Sequence, residues 1–248
     1  EGNLWKFDLA ANSAVLLFAA KDGNNNAQPI TSMPTLGLNP LKDDAVMVYF
    51  GTGKYFDVGD NAPSANPVQS FYAIVDTGSE ITYTSQTRST VFHEKTIEQT
   101  GGKRAINGER ITQDGVVASA VDWSGIYGWY LDFDQDTDIG EKVITKPLLI
   151  FDRLIFTTLV PSADPCEVGG HSWIMELVAI GDKNIAHRIL DEASINSLLD
   201  GAVVSQMGVG IGAEGLILPK CNVRGDCEQL IGALPPGSRG RMSWKQID

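Results

Sequence analysis

Short apolar runs separated by polar breaks follow one another along this chain, with the spacing of strands rather than of helices. Between Gly128 and Val178, an aromatic segment leads into an acidic loop and three further apolar runs. Apolar runs of about four to eight residues, rich in β-branched and aromatic side chains and bounded by Gly, Pro, Asp and Ser, indicate strands. This stretch therefore predicts a four-stranded antiparallel unit.

A strand-pair pattern recurs elsewhere in the chain. Val46 to Thr52 is followed, after a polar loop, by Ser70 to Gly78, much as Leu154 to Leu159 is followed by Ser172 to Val178. Repetition at intervals of roughly 45–65 residues is typical of a β-propeller, whose blades take about 40–50 residues plus insertions. We predict an all-β fold, a modified β-propeller or propeller fragment of antiparallel blade-like sheets with one or two short helices.

Aromatic residues lead the repeated strands at equivalent points. An aromatic residue precedes an apolar and then an acidic residue in four places: Trp5 to Asp8, Phe71 to Asp76, Trp129 to Asp132 and Trp173 to Glu176. Aromatic side chains contribute large areas to packing between sheets. We therefore expect Trp5, Phe71, Trp129 and Trp173 to be largely buried.

The principal helix is predicted from Ala186 to Leu199. Its apolar residues lie at helical spacing along one face, and Gly201 follows as a stop signal.

Length and composition limit the class of protein. The chain has 248 residues, 43% hydrophobic and 20% charged, and a net charge of −12. These values predict one folded domain over residues 1–248.

The first residues of the chain enter a strand pattern at once, so we expect a fragment of a longer chain. The acidic balance argues against nucleic-acid binding, which needs a basic surface. Its apolar runs are shorter than the ~18 residues that indicate a transmembrane helix.

Residues typical of catalytic centres lie far apart in the sequence. His93, His171 and His187 occur outside any recognisable motif, and the three cysteines lack zinc-site spacing. A structural or surface role is expected for each histidine, and the sequence predicts a protein that is not an enzyme.

Alternating carboxylates mark one loop as a candidate calcium site. Asp132, Asp134, Asp136 and Asp138 provide the oxygen ligands that Ca²⁺ prefers. The loop departs from an EF-hand, because its sixth position is Thr137 where a sharp turn needs Gly. A solvated acidic hairpin tip is the alternative, and this departure favours it.

A second candidate site lies between two cysteines. Arg224, Gly225 and Asp226 form an Arg-Gly-Asp tripeptide between Cys221 and Cys227. A disulfide could close so short a loop and present a cation and a carboxylate together. A chance tripeptide at a surface turn is the alternative.

Several segments together resemble a known family. LWKFDL, VYFGTGKYFDVGD, QSFYAIVDTG, GWYLDFD, LIFTTLVPSADPC, GGHSWIMELVA and GRMSWKQ resemble the C-terminal β-propeller of PilY1/PilC-type proteins, the biogenesis factors and tip adhesins of bacterial type IV pili. The resemblance covers nearly the whole chain. In that family an Asp-rich calcium loop usually precedes a GNLWKFDL-type strand, and this chain begins with that strand.

The resemblance implies an exported protein at the bacterial cell surface, at the pilus tip or in the periplasm and outer membrane. It implies a role in pilus extension and retraction, contact with minor pilins, and adhesion to surfaces or host cells, with Ca²⁺ as the candidate cofactor. Export to an oxidising compartment predicts a Cys221–Cys227 disulfide, with Cys166 free or bonded to a partner. A bond from Cys166 to either of the two is the alternative. A host integrin is the candidate receptor for Arg224 and Asp226.

An enzymatic alternative comes from a second resemblance. The segment FYAIVDTG is also similar to the repeat of quinoprotein dehydrogenase propellers. Those enzymes resemble one another in a pair of adjacent cysteines near the cofactor, which this sequence lacks. Cofactor absorbance after incubation with pyrroloquinoline quinone and Ca²⁺ would distinguish the two.

Overall fold

A computed structural model shows a fold built almost entirely of strands. It describes the following residues: 2–42, 45–64, 67–100, 102–107, 109–112, 115–118, 121–164, 169–180, 184–185, 197–200, 204–211 and 216–232.

The strands are short, as the length of the apolar runs predicts. In chain order they are β1 (Asn3–Asp8), β2 (Ser13–Ala19), β3 (Thr35–Asn39), β4 (Ala45–Gly51), β5 (Ser70–Val75), β6 (His93–Lys95), β7 (Ile97–Thr100), β8 (Lys103–Ile106), β9 (Glu109–Thr112), β10 (Gly115–Ala118), β11 (Gly128–Asp132), β12 (Leu148–Ile150), β13 (Arg153–Thr157), β14 (Val160–Pro161), β15 (Gly170–Val178), β16 (Asn184–Ile185), β17 (Ser197–Asp200), β18 (Val204–Met207), β19 (Gly210–Ile211), β20 (Leu216–Asn222) and β21 (Cys227–Gly232). One helical turn, α1 (Arg88–Val91), precedes β6.

Four sheets form the body of the fold, and we name them A to D. Sheet A is the β1–β2 hairpin, and sheet B has the order β3-β4-β5-β11-β6. Sheet C has the order β12-β13-β15-β14 with β17 paired to β15, and sheet D joins β18, β19 and β21 to β20. Small sheets of β7–β8 and of β9, β10 and β16 lie outside this series. The all-β prediction is therefore confirmed.

The four sheets stack face to face in chain order, and alternate side chains of a strand pack into the cores on its two sides. In β4, Met47 and Tyr49 face the core between sheets B and C, whereas Val48 and Phe50 face the core between sheets A and B. In β13, Phe156 faces sheet B and Ile155 faces sheet D. A strand buried on both faces needs a continuous apolar run, which these segments have. The result is a blade-like stack that does not close into a ring among the residues described.

Aromatic packing joins sheets B and C. The rings of Phe71 and Phe156 stack with centroids 4.1 Å apart, and the Trp129 indole Nε1 donates a hydrogen bond of 2.9 Å to the Ala179 carbonyl. Phe71, Trp129 and Trp173 are fully buried, as predicted.

Trp5 contradicts the same prediction. Its side chain is 48% exposed, because sheet A has only two strands and buries one face against sheet B. Leu4 packs on that inner face and pairs with Phe18, whereas Trp5 pairs with Leu16 after a register shift between Leu4 and Trp5.

The predicted helix is wrong where the structure describes it. Residues 197–200 form β17, which pairs antiparallel with β15 from Ser172↔Asp200 to Met175↔Ser197. Tertiary pairing overrides a helical pattern when an open strand edge is available. Residues 186–196 of the predicted helix lie outside the described ranges.

The four-stranded unit predicted over Gly128 to Val178 is also wrong. β11 pairs antiparallel with β5 and parallel with β6, so it belongs to sheet B, whereas β12, β13 and β15 form sheet C. By contrast, the two recurring strand pairs are confirmed as the antiparallel neighbours β4–β5 and β13–β15.

Candidate functional site

A disulfide-closed hairpin presents the Arg-Gly-Asp tripeptide. β20 and β21 pair from Leu216↔Gly232 to Cys221↔Cys227, and the predicted Cys221–Cys227 disulfide links the last pair. This bond excludes the alternative in which Cys166 pairs with either cysteine. Cys166 itself lies outside the described residues.

Asn222 fixes the backbone of the five-residue tip. Its side-chain Oδ1 accepts hydrogen bonds from the backbone N–H groups of Arg224 at 3.0 Å and Asp226 at 3.1 Å. Its backbone carbonyl accepts the Gly225 N–H at 3.1 Å. Gly225 has a φ of +89°, a left-handed conformation that favours glycine. The tip is therefore a preformed turn rather than an open loop.

The charged groups of the tip are accessible. Arg224, Gly225 and Asp226 are all exposed, and Arg224 has no side-chain hydrogen bond or ion pair with the described residues. The Asp226 carboxylate has one long contact, 3.5 Å from the Asn222 amide. A cation and a carboxylate thus lie on one ordered turn, available to a partner.

A small pocket borders the carboxylate side of this hairpin. It has a volume of about 310 Å³ and is lined by Lys220, Asn222, Asp226, Cys227 and Glu228. The buried Lys220 ammonium pairs with Glu228 at 2.5 Å. Lys220 thus pairs with Glu228 rather than with Asp226. Among the described residues, no lysine lies within salt-bridge distance of the Asp226 carboxylate.

In the acidic loop, Asp132 and Asp138 each form an ion pair with a different arginine. The Arg88 guanidinium contacts both carboxylate oxygens of Asp132 at 2.8 Å, and Ser70 Oγ donates to Asp132 at 2.5 Å. Arg88 also lies 3.8 Å above the centre of the Tyr130 ring. Asp132 is thereby fixed at the end of β11 by a bidentate charge-assisted contact.

Arg104 neutralises the other end of the loop. Its guanidinium donates to both oxygens of Glu141, at 2.6 and 2.7 Å, and to Asp138 at 2.8 Å. It also stacks over the Trp173 ring, 4.2 Å from the centroid. Arg104 and Glu141 are fully buried, so this is an ion pair removed from water.

Further hydrogen bonds make Asp138 strongly acidic. Burial opposes its ionisation, but hydrogen bonds from His171 and Gln99 and the charge of Arg104 outweigh burial and lower the pKa of Asp138. His171 Nε2 lies 3.0 Å from Asp138 Oδ1, and the Trp173 indole donates to Oδ2 at 3.2 Å. Asp138 is therefore a buried structural anion in this arrangement.

The middle carboxylates, Asp134 and Asp136, are exposed. Across the described part of the chain, carboxylate, imidazole and thiol groups form no cluster of three or more that could hold a metal ion. The structure thus does not gather Asp132, Asp134, Asp136 and Asp138 into one ligand cage. Calcium binding at this loop stays a prediction.

Arg88 and Arg104 are residues that sequence reasoning missed. Each is 34 or more positions from the carboxylates it binds, and neither lies in a recognisable pattern. Of the three histidines, His171 has the expected structural role, His93 is partly buried on β6, and His187 lies outside the described residues.

The known proteins that are similar to this chain are named as type IV pilus biogenesis factors. The chain is 26% identical over its full length to "Type IV pilus biogenesis factor PilY1" of Pseudomonas aeruginosa strain UCBPP-PA14, and covers 26% of that protein. It is 28% identical, over 82% of its length, to the PilY1 homolog of Xylella fastidiosa strain Temecula1, and covers 14% of it. The chain thus spans about a quarter or less of these relatives.

A solved structure shares the fold. The crystal structure of the Pseudomonas aeruginosa PilY1 C-terminal domain matches 94% of this chain and 56% of that chain, with a TM-score of 0.66 and 21% identity. No family model matches the sequence. No helix in the described ranges has both the length and the apolar character to span a bilayer. The chain is therefore homologous over its full length to the PilY1 type IV pilus biogenesis factors, and it has the propeller-like fold of their C-terminal domain.

Proposed function

We propose that this chain acts in type IV pilus biogenesis as a non-enzymatic module. The observation that carries the proposal is homology along the whole chain to proteins named as type IV pilus biogenesis factors, together with the shared fold.

The proposed location is outside the cytoplasm, at the pilus tip, on the cell surface or in the periplasm. The disulfide supports it, because such bonds persist in oxidising compartments. Minor pilins are the proposed pilus partners, and control of extension against retraction is the proposed activity.

Removal of the gene segment that encodes this chain tests the biogenesis role. We expect loss of surface pili by electron microscopy and loss of twitching on agar, with both restored by the intact gene. Wild-type pilus number and twitching in the deletion strain would contradict the proposal. Deletion of the retraction ATPase in the same strain separates the steps. If pili reappear in this double mutant, the chain acts by countering retraction. If pili remain absent, the chain acts in pilus assembly.

The hairpin tip is the proposed adhesive site, with a host integrin as receptor. The supporting observation is the preformed, exposed turn on which Asn222 orders the backbone of Arg224 and Asp226. A turn that is ordered before binding lowers the entropic cost of association. The carboxylate would bind the receptor's metal ion and the guanidinium an acidic pocket.

The substitution Asp226→Glu tests adhesion, because it keeps the charge and lengthens the side chain. The matched control is Asp57→Glu, the same change at an exposed aspartate outside the acidic loop. We expect Asp226→Glu to reduce attachment to integrin-bearing cells by about tenfold, the effect of losing ~1.4 kcal/mol of binding free energy. Asp57→Glu should adhere like the wild type. Equal adhesion by wild type and Asp226→Glu would reject the adhesive role without affecting the biogenesis proposal.

A further inference from the structure

One edge of sheet B is exposed and apolar. β3 is the terminal strand of this sheet, and its Leu36 and Leu38 side chains are 63% and 61% exposed. Large apolar side chains nearby are exposed as well: Met33, Leu41 and Val46. Val46 lies opposite Leu38 in the β3–β4 register, so it is on the same face of the sheet as the two leucines. Leu36, Leu38 and Val46 therefore form an exposed apolar strip on one face of the sheet.

The backbone groups of Leu36 and Leu38 point away from the sheet. Thr52 N–H donates to the Ser70 carbonyl and Asp76 N–H to the Val46 carbonyl, so Val46, Val48 and Phe50 direct their backbone groups toward β5. In an antiparallel sheet alternate residues point to opposite neighbours, so Met47 and Tyr49 face β3. Their partners Gly37 and Thr35 therefore face β4. The N–H and C=O groups of Leu36 and Leu38 remain on the open side.

β3 lacks the features that usually protect a sheet edge. Proteins discourage strand addition with charged side chains, prolines or bulges on edge strands. β3 has the sequence TLGLN, with no charge, proline or bulge, and Pro34 and Pro40 lie just outside it. Two other terminal strands carry charges, Lys6 and Asp8 in β1 and Glu94 and Lys95 in β6. By contrast with β1 and β6, β3 is an edge without charged side chains.

We propose that β3 is a docking edge for an extended segment of a partner protein, which adds to sheet B as an antiparallel strand. Main-chain hydrogen bonds to Leu36 and Leu38 supply the affinity, and alternate apolar side chains of the segment cover the two leucines. The proposal is independent of the Arg-Gly-Asp hairpin, which lies on sheet D.

Charge and contact size favour a foreign segment over a second copy of this chain. Two five-residue strands meet over only about 17 Å, whereas a stable interface between folded proteins buries roughly 1,200–2,000 Å². Two copies also repel each other, because each has a net charge of −12. A segment with basic flanks is attracted by the same charge. We therefore infer a partner strand with alternating apolar residues and flanking lysines or arginines.

A synthetic peptide provides the probe. An acetylated peptide of alternating valine and threonine, with two lysines at each end and a fluorophore, should bind the 248-residue chain in an anisotropy titration. Hydrogen exchange followed by NMR should show the Leu36 and Leu38 amides protected on binding. N-methylation of the valines that lie opposite these leucines removes the N–H groups that donate to β3. It should weaken binding roughly tenfold or more, whereas N-methylated threonines should leave it within about twofold.

A matched pair of protein variants tests the location. Leu38→Lys places a charge on the edge, and Val58→Lys places the same charge on a fully exposed loop residue elsewhere. We expect Leu38→Lys to lower peptide affinity roughly tenfold and Val58→Lys to change it less than about twofold.

Three results would overturn the proposal. The first is no binding of the peptide by the wild-type chain at millimolar concentration. The second is equal loss of affinity from both protein variants or from both methylated peptides. The third is concentration-dependent dimerisation of the wild type that Leu38→Lys abolishes, since it would show that a second copy occupies the edge.

Discussion

The Arg104 cluster offers the sharpest test of what holds the acidic loop in place. Replacing Arg104 by Met keeps much of the apolar stem and removes the guanidinium from two buried carboxylates, Asp138 and Glu141. Three contacts of 2.6 to 2.8 Å with these carboxylates are lost, along with the hydrogen bond of 2.7 Å from Arg104 Nε to Gln99 and the stacking of the cation over Trp173 at 4.2 Å. Breaking one side of a buried ion pair typically costs about 3–5 kcal/mol, because the remaining charges stay buried without a partner.

The pH dependence of this loss distinguishes its cause. In the wild type the pKa of Asp138 is lowered, so its ionised form contributes stability above the unfolded-state pKa of about 3.9, and this contribution is lost as pH falls. In Arg104→Met one of the charges that lower the pKa of Asp138 is removed, whereas the hydrogen bonds from His171 and Gln99 remain, so we expect this pKa to rise toward its unfolded value. The stability deficit of the variant should therefore be largest at neutral pH and should shrink as pH falls below about 4, where the wild type loses the contribution of Asp138.

Urea unfolding of both proteins at about pH 7.5 and at about pH 3 measures this difference. Arg224→Met is the matched control, because it removes an exposed guanidinium, and surface changes of this kind usually stay within about 0.5 kcal/mol. The double variant Arg104→Met with Glu141→Gln should recover part of the loss. A deficit below about 1 kcal/mol, or one that does not change with pH, would refute the assignment of Arg104 as the cation of this cluster.

Three further predictions concern packing, the disulfide and calcium. Phe156→Ala should cost about 3–5 kcal/mol in urea unfolding, because its ring fills the core between sheets B and C, and a near-neutral effect would mean that these sheets do not pack through it. Replacing Cys221 and Cys227 by Ser should lower stability by up to about 2 kcal/mol from loop entropy and should increase hydrogen exchange at the tip, and unchanged exchange would show that Asn222 alone orders the turn. If Ca²⁺ binds at the acidic loop, millimolar Ca²⁺ should raise Tm, and Asp134→Ala with Asp136→Ala should abolish the rise. If calorimetry detects no heat of Ca²⁺ binding, the acidic loop is a solvated hairpin tip rather than a calcium site.

Local patterns in the sequence were sufficient for the strands and for one candidate site. The run from Val46 to Phe50 is apolar at every position, which is typical of a strand buried on both faces, and the structure buries its last four residues between sheets A, B and C. The hairpin at Cys221 and Cys227 could be predicted because both cysteines and the turn residues lie within seven positions. The alternation of side chains along a strand and the residue preferences of a turn depend on only a few consecutive residues. Both can therefore be predicted from the local sequence.

Strand partners and buried charges required the tertiary structure. β11 joins sheet B through pairing with β5, more than fifty residues earlier, although its nearest strand-like neighbours in sequence form sheet C. Trp5 resembles Trp129 and Trp173 in its local motif, yet it is exposed because sheet A packs on one side only.

The acidic loop shows the same division most clearly. By itself the sequence determined a loop rich in carboxylates after a buried aromatic strand. Only the fold decided that Asp132 pairs with Arg88 and Asp138 with Arg104, while Asp134 and Asp136 point to solvent. The physical reason is that electrostatic partners are chosen by distance in space and by burial, and a carboxylate has the same local sequence signature whether it meets a metal ion, a guanidinium or water.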